Sequence, residues 1–341
     1  MMRATVLGAG GFIGGELVRL LLDHPHLDLA QVTSTRFAGR PVTRTNPNLR
    51  GLTDLTFVAH DEIDDCDVLF CAAPHRTAMS VLPGLLGRAK QVVDLSGDFR
   101  LRDGDRYRDH YGVAHGAPEL LDTFTPAVPE LYRDRLRTAD RMSVPGCMAT
   151  AAILGLAPLA EAGLIDGTVL VDARTGSSGS GASASDAGHH PVRSGAMRVF
   201  APAGHRHEAE IAQVVGVPVE MTATGVEAVR GVQVVCRVPL AGRPDDRAVR
   251  AVYRDFYRDS PFVRVVAQRT GAVRLPEPKI LTGTNRCDVG FALRPDGGRA
   301  TVVAALDNLV KGGAGAAVQA LNVRHGWPET TGLGFPGLFP V

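Results

Sequence analysis

Gly8-Ala9-Gly10-Gly11-Phe12-Ile13-Gly14 is the stretch whose reading decides the fold. A short apolar strand, Arg3 to Leu7, leads into it, and a helical pattern through Leu17, Leu20, Leu21 and Leu22 follows. Glycines at 8, 11 and 14 let the chain turn tightly and bring backbone close to a pyrophosphate placed at the helix N-terminus. The spacing is a GxxGxxG variant; read as GxGxxG from Gly8, its sixth position is Ile13. In this strand–turn–helix context Gly8, Gly10, Gly11, Phe12, Ile13 and Gly14 are expected to bind a dinucleotide.

Working outward, Leu29 to Thr33 reads as a second strand, Val68 to Ala72 as a buried third, Val81 to Leu86 as helix and Gln91 to Leu95 as strand. Strands alternating with helices predict an α/β fold with a Rossmann-type, doubly wound parallel sheet. The second strand ends Val32-Thr33-Ser34-Thr35-Arg36, without the carboxylate that grips a ribose 2′-hydroxyl in NAD sites. Hydroxyls and a guanidinium suit a 2′-phosphate, so Ser34, Thr35 and Arg36 point to NADPH/NADP.

The character changes near Cys147. Gly167 to Ala173, Val217 to Thr224, Gly231 to Pro239, Cys287 to Leu293 and Ala300 to Leu306 alternate as strands, with a helix at Asp245 to Arg258. These predict a second, α+β domain with a mainly antiparallel or mixed sheet over 147–307. Residues 1–146 form the NADP-binding domain, completed by 308–341, where Leu309 to Val323 reads as helix. A chain of 341 residues is too long for one ordinary core, which agrees with two domains.

With 45% hydrophobic residues, 21% charged and a formal net charge of +1, the chain has no basic footprint for nucleic acid and no polybasic membrane patch. Its longest apolar run, Met148 to Ala160, is too short to cross a bilayer. The first strand starts almost at Met1, which leaves no room for a signal peptide. Five scattered cysteines without CxxC spacing argue against disulfides and structural zinc, and for a reducing cytoplasm.

Pro145-Gly146-Cys147-Met148-Ala149-Thr150 sets a cysteine just before a helix-forming run, where the positive end of the dipole favours the thiolate. The other cysteines read as buried and inert. Gly204-His205-Arg206-His207-Glu208-Ala209-Glu210 supplies two histidines, either of which suits proton transfer to and from a thiol nucleophile. A helix starting near His207 puts Glu210 on the same face, where it can orient the imidazole. No HExxH or Cys/His spacing marks a metal site, and none is expected. Gly176-Ser177-Ser178-Gly179-Ser180-Gly181 reads either as a linker or as a backbone-amide cradle for phosphate, through Ser177 and Gly179.

Taken together, the glycine turn, Asp98-Phe99-Arg100-Leu101, Val128-Pro129-Glu130-Leu131, Pro145-Gly146-Cys147, Gly204-His205-Arg206-His207 and Asp307-Asn308-Leu309-Val310-Lys311-Gly312 resemble the N-acetyl-gamma-glutamyl-phosphate reductases. The resemblance runs down to Gly326-Trp327-Pro328-Glu329-Thr330. Arginine-pathway members usually read Gly-Cys-Tyr-Pro-Thr at the nucleophile; Gly146-Cys147-Met148-Ala149-Thr150 is similar to the lysine-pathway branch. Ser185 to Val199, with His189, His190, Arg193 and Arg198, looks like that branch too.

The resemblance implies NADPH-dependent reduction of an aminoadipyl or glutamyl phosphate joined to a small acidic amino-group carrier protein, through a Cys147 thioester. It places Asn308 near the nicotinamide, Pro74 and His75 beside the cofactor, and Arg100 near the substrate phosphate. Arg193 and Arg198 are either contacts for carboxylates of the carrier's tail or solvated loop arginines. It makes the 147–307 domain the catalytic and dimerisation domain, and a homo-oligomer, dimer or tetramer, is implied as well. The alternatives are the free-standing N-acetylglutamyl phosphate enzyme of arginine synthesis and, more remotely, a non-catalytic NADP-binding redox sensor.

Overall fold

The computed structural model describes residues 1–266, 268 and 270–341. The chain divides into two compact units: Met1–Pro145 with Gly181–Ser183 and Gly313–Gly334, and Gly146–Ser180 with Ala184–Gly312 and Phe335–Val341.

The first unit holds β1 (Met2–Leu7), β2 (Leu27–Thr33), β3 (Phe57–Val58), β4 (Cys66–Cys71), β5 (Ala89–Asp94), β6 (Thr125–Pro126) and β7 (Arg141–Ser143). They form one parallel sheet in the order β3-β2-β1-β4-β5-β7-β6. The order reverses between β1 and β4, and open parallel sheets bind ligands beyond the carboxyl ends of their strands at such a switch point. Helices α1 (Phe12–Leu22), α2 (Ala78–Leu85), α3 (Gly104–Tyr111) and α4 (Pro129–Leu136) complete the unit's first segment. The strands read as apolar runs because both faces are covered; Val68, Leu69, Phe70 and Cys71 of β4 are all buried. α1 buries Leu17, Val18, Leu20 and Leu21, and its first turns are buried as well from Gly14 to Val18.

The second unit opens with α5 (Cys147–Glu161), then β8 (Val169–Thr175), the short α6 (His190–Arg193), β9 (Arg198–Ala201), α7 (His207–Val215), β10 (Val219–Gly225) and β11 (Val232–Pro239). After α8 (Asp246–Phe256) come β12 (Val263–Val265), β13 (Cys287–Leu293) and β14 (Arg299–Leu306). The sheet runs β12-β13-β14-β11-β8-β10-β9. It is mixed: β8–β10 and β12–β13 pair in parallel, the remaining neighbours antiparallel. α5 is apolar on every side and buried from Met148 to Leu159, as a core helix must be. The Tyr253 hydroxyl donates to the Gly155 carbonyl at 2.6 Å and Tyr257 donates to Leu154 O, so α8 is hydrogen-bonded to α5 as well as packed on it.

The chain returns to the first unit with α9 (Gly315–Arg324). The sequence predicts one helix over Leu309 to Val323, but the structure has a π-turn at Val310–Ala314 before α9 begins. Asp307 causes the difference. Its carboxylate accepts the N–H groups of Leu309 and Val310, and its carbonyl accepts Gly312 N–H at 2.9 Å, five residues on, which closes a π-type ring. Among the described residues no helix is long and apolar enough to cross a membrane.

Candidate active site

In the first unit the glycine turn sits at the switch point. Gly8 has φ +82°, and a Cβ there would stand 2.7 Å from the Ala72 carbonyl oxygen; one on Gly14 would stand 2.4 Å from Gly8 O. Only glycine fits either place, and the result is a bare backbone turn into α1. Among the described residues no side chain caps α1, whose N-cap is Gly11, so its first amides face outward for an anion. These features fit a dinucleotide. The Gly8 N–H donates to Thr33 Oγ1 at 3.3 Å and Ala9 N–H to Thr33 O at 2.9 Å, which fastens the turn to the end of β2.

Just past β2, buried Ser34 accepts the Phe37 N–H on its hydroxyl at 3.3 Å, Thr35 and Arg36 are exposed, and the Arg36 guanidinium lies 5.1 Å from the Phe37 ring centre. Across the switch point, past β4, Pro74 and His75 are exposed. His75 Nδ1 accepts the Gly97 N–H at 2.8 Å, which places the neutral ring's proton on Nε2. Buried Asp98 fixes the same loop by accepting Arg76 N–H at 2.7 Å, Met79 N–H at 3.0 Å and the Tyr107 hydroxyl at 2.9 Å.

Arg100 uses Nε on the Val144 carbonyl at 2.8 Å and Nη2 on the Leu95 carbonyl at 3.0 Å. Its expected place beside a phosphate therefore meets a side chain that ties the end of β5 to the segment leading to Cys147. Asp94, buried beside it, accepts the Ser96 N–H and hydroxyl, and burial pushes its carboxyl up to about 6.

In the second unit Cys147 begins α5 with Gly146 as N-cap and no side-chain cap among the described residues. His207 begins α7 and is buried, its ring lying over Gly146: a Cβ on Gly146 would stand 2.0 Å from His207 Nε2. Buried Glu210 accepts the Gly146 N–H on Oε2 at 2.7 Å, and its Oε1 lies 3.8 Å from His207 Nε2. Expected as a substrate residue that can also orient the imidazole, Glu210 stands beside His207 and also anchors the backbone before the thiol. His205 accepts the His207 N–H on Nδ1 at 3.2 Å, and the two rings meet edge to face at 4.5 Å. The structure thus sets His207 beside Gly146, with His205 accepting the first backbone N–H of α7.

Ser177 and Gly179 lie in a turn whose amides are already used. Gly176 N–H donates to Gly231 O, Ser177 N–H to Ala228 O, Ser178 N–H to Val229 O and Gly179 N–H to Gly176 O. The amide cradle expected of this stretch is therefore not formed by these groups, because a neighbouring loop consumes them. The buried residue of the turn is Ser178, whose hydroxyl donates to Val229 O at 2.6 Å and accepts from Asn308 Nδ2 at 2.9 Å. Asn308 Oδ1 accepts Gly231 N–H at 2.7 Å, so its amide braces this turn within the second unit.

Arg193 donates to Val226 O, Arg198 Nη2 donates to Val192 O at 3.0 Å, and His190 is exposed. Both arginines are thus hydrogen-bonded residues, one ending α6 and one opening β9, that still carry charge beside exposed Met197, Val199 and Phe200. Sequence reasoning missed Asp307. This fully buried carboxylate also accepts Gly283 N–H at 2.6 Å and pairs with Arg230 Nη1 at 3.3 Å. Its signal was an acidic residue just ahead of a helical pattern, the usual place of a cap. Among the described residues no group of three or more metal-ligating side chains is arranged around a common point.

A parallel dinucleotide-type unit and a mixed-sheet unit opening on a cysteine helix define a two-part dehydrogenase. Residues 3–139 match the semialdehyde dehydrogenase NAD binding domain, and residues 147–308 the semialdehyde dehydrogenase dimerisation domain. Aspartate semialdehyde dehydrogenase II of Vibrio cholerae shares the fold at a TM-score of 0.69, 16% identity and 95% and 98% coverage of the two chains. The Candida albicans aspartate semialdehyde dehydrogenase does so at 0.67, 15%, and 95% and 98%. In sequence the chain is 44% identical to the [LysW]-L-2-aminoadipate 6-phosphate reductase of Deinococcus radiodurans, covering 99% of this chain and 98% of that one. It is 46% identical, over 100% of both chains, to a putative enzyme of the same name from Thermomicrobium roseum. The putative [LysW]-L-2-aminoadipate/[LysW]-L-glutamate phosphate reductase of Haloarcula marismortui is 46% identical over 99% and 98%. The chain belongs to this family of phosphate reductases, the branch its nucleophile motif resembles, and is an oxidoreductase with a dinucleotide-binding unit.

Proposed function

We propose that the chain reduces an aminoadipyl or glutamyl phosphate, carried on a small acidic amino-group carrier protein, to the semialdehyde at the expense of NADPH. The observation that carries the chemistry is Cys147 at the start of α5, with His207 lying over the preceding Gly146. The full-length relatives named for [LysW]-linked substrates carry the choice of acyl group.

The Cys147 thiolate attacks the acyl phosphate carbon, the C–O bond to phosphate breaks, and inorganic phosphate leaves a thioester on Sγ. NADPH, when bound, supplies hydride to the thioester carbon. His207 Nε2 lends a proton to the oxygen of the hemithioacetal and takes it back as the C–S bond breaks, which re-forms the C=O, returns the thiolate and releases the aldehyde. Glu210 keeps Gly146 and the imidazole in register, while His205 accepts the first backbone N–H of the helix that carries Glu210 and His207. Ser34, Thr35 and Arg36 favour the 2′-phosphate of NADP, and the glycine turn receives the pyrophosphate.

Arg193 and Arg198 give the loop beside β9 positive charge for an acidic carrier, and the match of 147–308 to a dimerisation domain supports a homo-oligomer. The free cysteines of the chain support work in the cytoplasm. The test is the reverse reaction with NADP, phosphate and either carrier-linked semialdehyde or N-acetylglutamate semialdehyde. The carrier-linked substrate is expected to show the far higher kcat/KM; preference for the small substrate would reject the carrier reading.

A further inference from the structure

Two close approaches crowd the start of α5. On one side, Gly146 has no room for a side chain under the His207 ring. On the other, the π-turn Val310–Ala314 passes so near that a Cβ on Gly312 would stand 2.6 Å from Cys147 Cβ and 3.1 Å from Cys147 Cα. Real Cβ atoms do not approach that closely, so a side chain at 312 must move one of the two elements. The turn is the stiffer partner. Asp307 accepts two of its N–H groups, Val310 on the carboxylate and Gly312 on the carbonyl, and that of Leu309 just before it; Lys311 is buried, and Asn308 is hydrogen-bonded at both ends of its amide. α5 is also buried along its length, so a side chain at 312 is met by a small shift of the first turn of α5, which carries the Cys147 thiol with it.

We propose that Gly312 is a positioning residue for the nucleophile, and that the π-turn exists to bring bare backbone against Cys147 and so fix the thiol relative to His207. Lengthening an α-helical turn by one residue is unfavourable and is tolerated mostly at functional sites. Here it delivers a glycine directly against Cys147. The inference rests on Cys147 being the nucleophile, but the contact itself is tested without turnover.

The experiment compares wild type, Gly312→Ala, Cys147→Gly and the double variant. In Gly312→Ala, kcat falls by about tenfold or more while the KM for NADPH stays put, because displacement of a reacting atom costs rate before cofactor affinity. The pH profile of Cys147 alkylation by iodoacetamide shifts as well. An unchanged kcat and alkylation profile in a folded variant would overturn the proposal. Thermal melts close the cycle: the Tm loss caused by Gly312→Ala should largely vanish in the Cys147→Gly background, where the obstructing Cβ is gone. If Gly312→Ala does not fold, a folded double variant supports the contact, and an equally unfolded one contradicts it. Activity retained by a Cys147→Ala protein would defeat the nucleophile reading alone, leaving the melting cycle to judge the contact.

Discussion

Glu210 Oε2 accepts the Gly146 backbone N–H at 2.7 Å, which fastens the first turn of α7 to the residue ahead of Cys147. Both groups are buried, so the bond is worth more by being kept than its net strength suggests: an amide stranded there costs about 1–3 kcal/mol. Glu210→Ala is therefore expected to lower stability by that order and to cut kcat by about tenfold or more, as thiol and imidazole lose registration. Urea melts and steady-state kinetics check this. A variant with full kcat would show that the anchor is only structural.

The five cysteines are predicted to differ sharply in reactivity. Burial pushes the Cys71 and Cys66 thiols up and takes Cys236 to about 12, whereas Cys147 is partly exposed at a helix start. Because the thiolate is the reacting form, limited alkylation followed by peptide mapping should modify Cys147 first. Cys71 and Cys236 should react only after unfolding; equal labelling of either in the native protein contradicts the assignment.

Asp94 should leave a mark on the pH dependence of stability. Burial raises its carboxyl from an ordinary 3.8 to about 6, so the folded state holds the proton more tightly than the unfolded state. Its contribution favours folding at low pH and is lost as pH rises through about 6, an effect of at most about 3 kcal/mol. Comparing melts at pH 4.5 and 7.5, Asp94→Asn should gain relative to wild type at the higher pH. A difference that stays flat, or moves the other way, counts against the buried charge.

Arg36 is expected to set cofactor choice. It lies exposed against Phe37 past β2, with Ser34 beside it and no carboxylate at the strand end. Arg36→Ala should raise the KM for NADPH about tenfold or more while changing that for NADH little. Equal loss with both cofactors would remove the 2′-phosphate role.

The parts of this protein that could be read from sequence are those whose signals are local. The glycine turn stands between a strand and a helix within fourteen residues, β8, β10 and β11 alternate over seven or eight residues each, and β13 and β14 are apolar runs of the same length. The strands missed, β3, β6, β7, β9 and β12, have four residues or fewer and owe their state to a neighbour in the sheet. The carbonyl partners of Arg100 and Arg193, Val144 and Val226, lie 44 and 33 positions away, so these hydrogen bonds could not be read from the local sequence. The apolar period from Leu309 onward is genuinely helical, and only the capping by Asp307 reveals the π-turn inside it. Cys147, His207 and Glu210 were each named from their own segments; their close approach around Gly146 belongs to the fold.

The central claim is the thioester on Cys147, and it can be caught directly. The enzyme is mixed with the carrier-linked acyl phosphate in the absence of NADPH, quenched in acid, and its intact mass and peptides are measured. The account predicts an acyl adduct on the peptide containing Cys147, released by hydroxylamine and absent from Cys147→Ala. Wild-type enzyme that releases phosphate and, once NADPH is added, makes semialdehyde, yet never carries an adduct on Cys147, would contradict it.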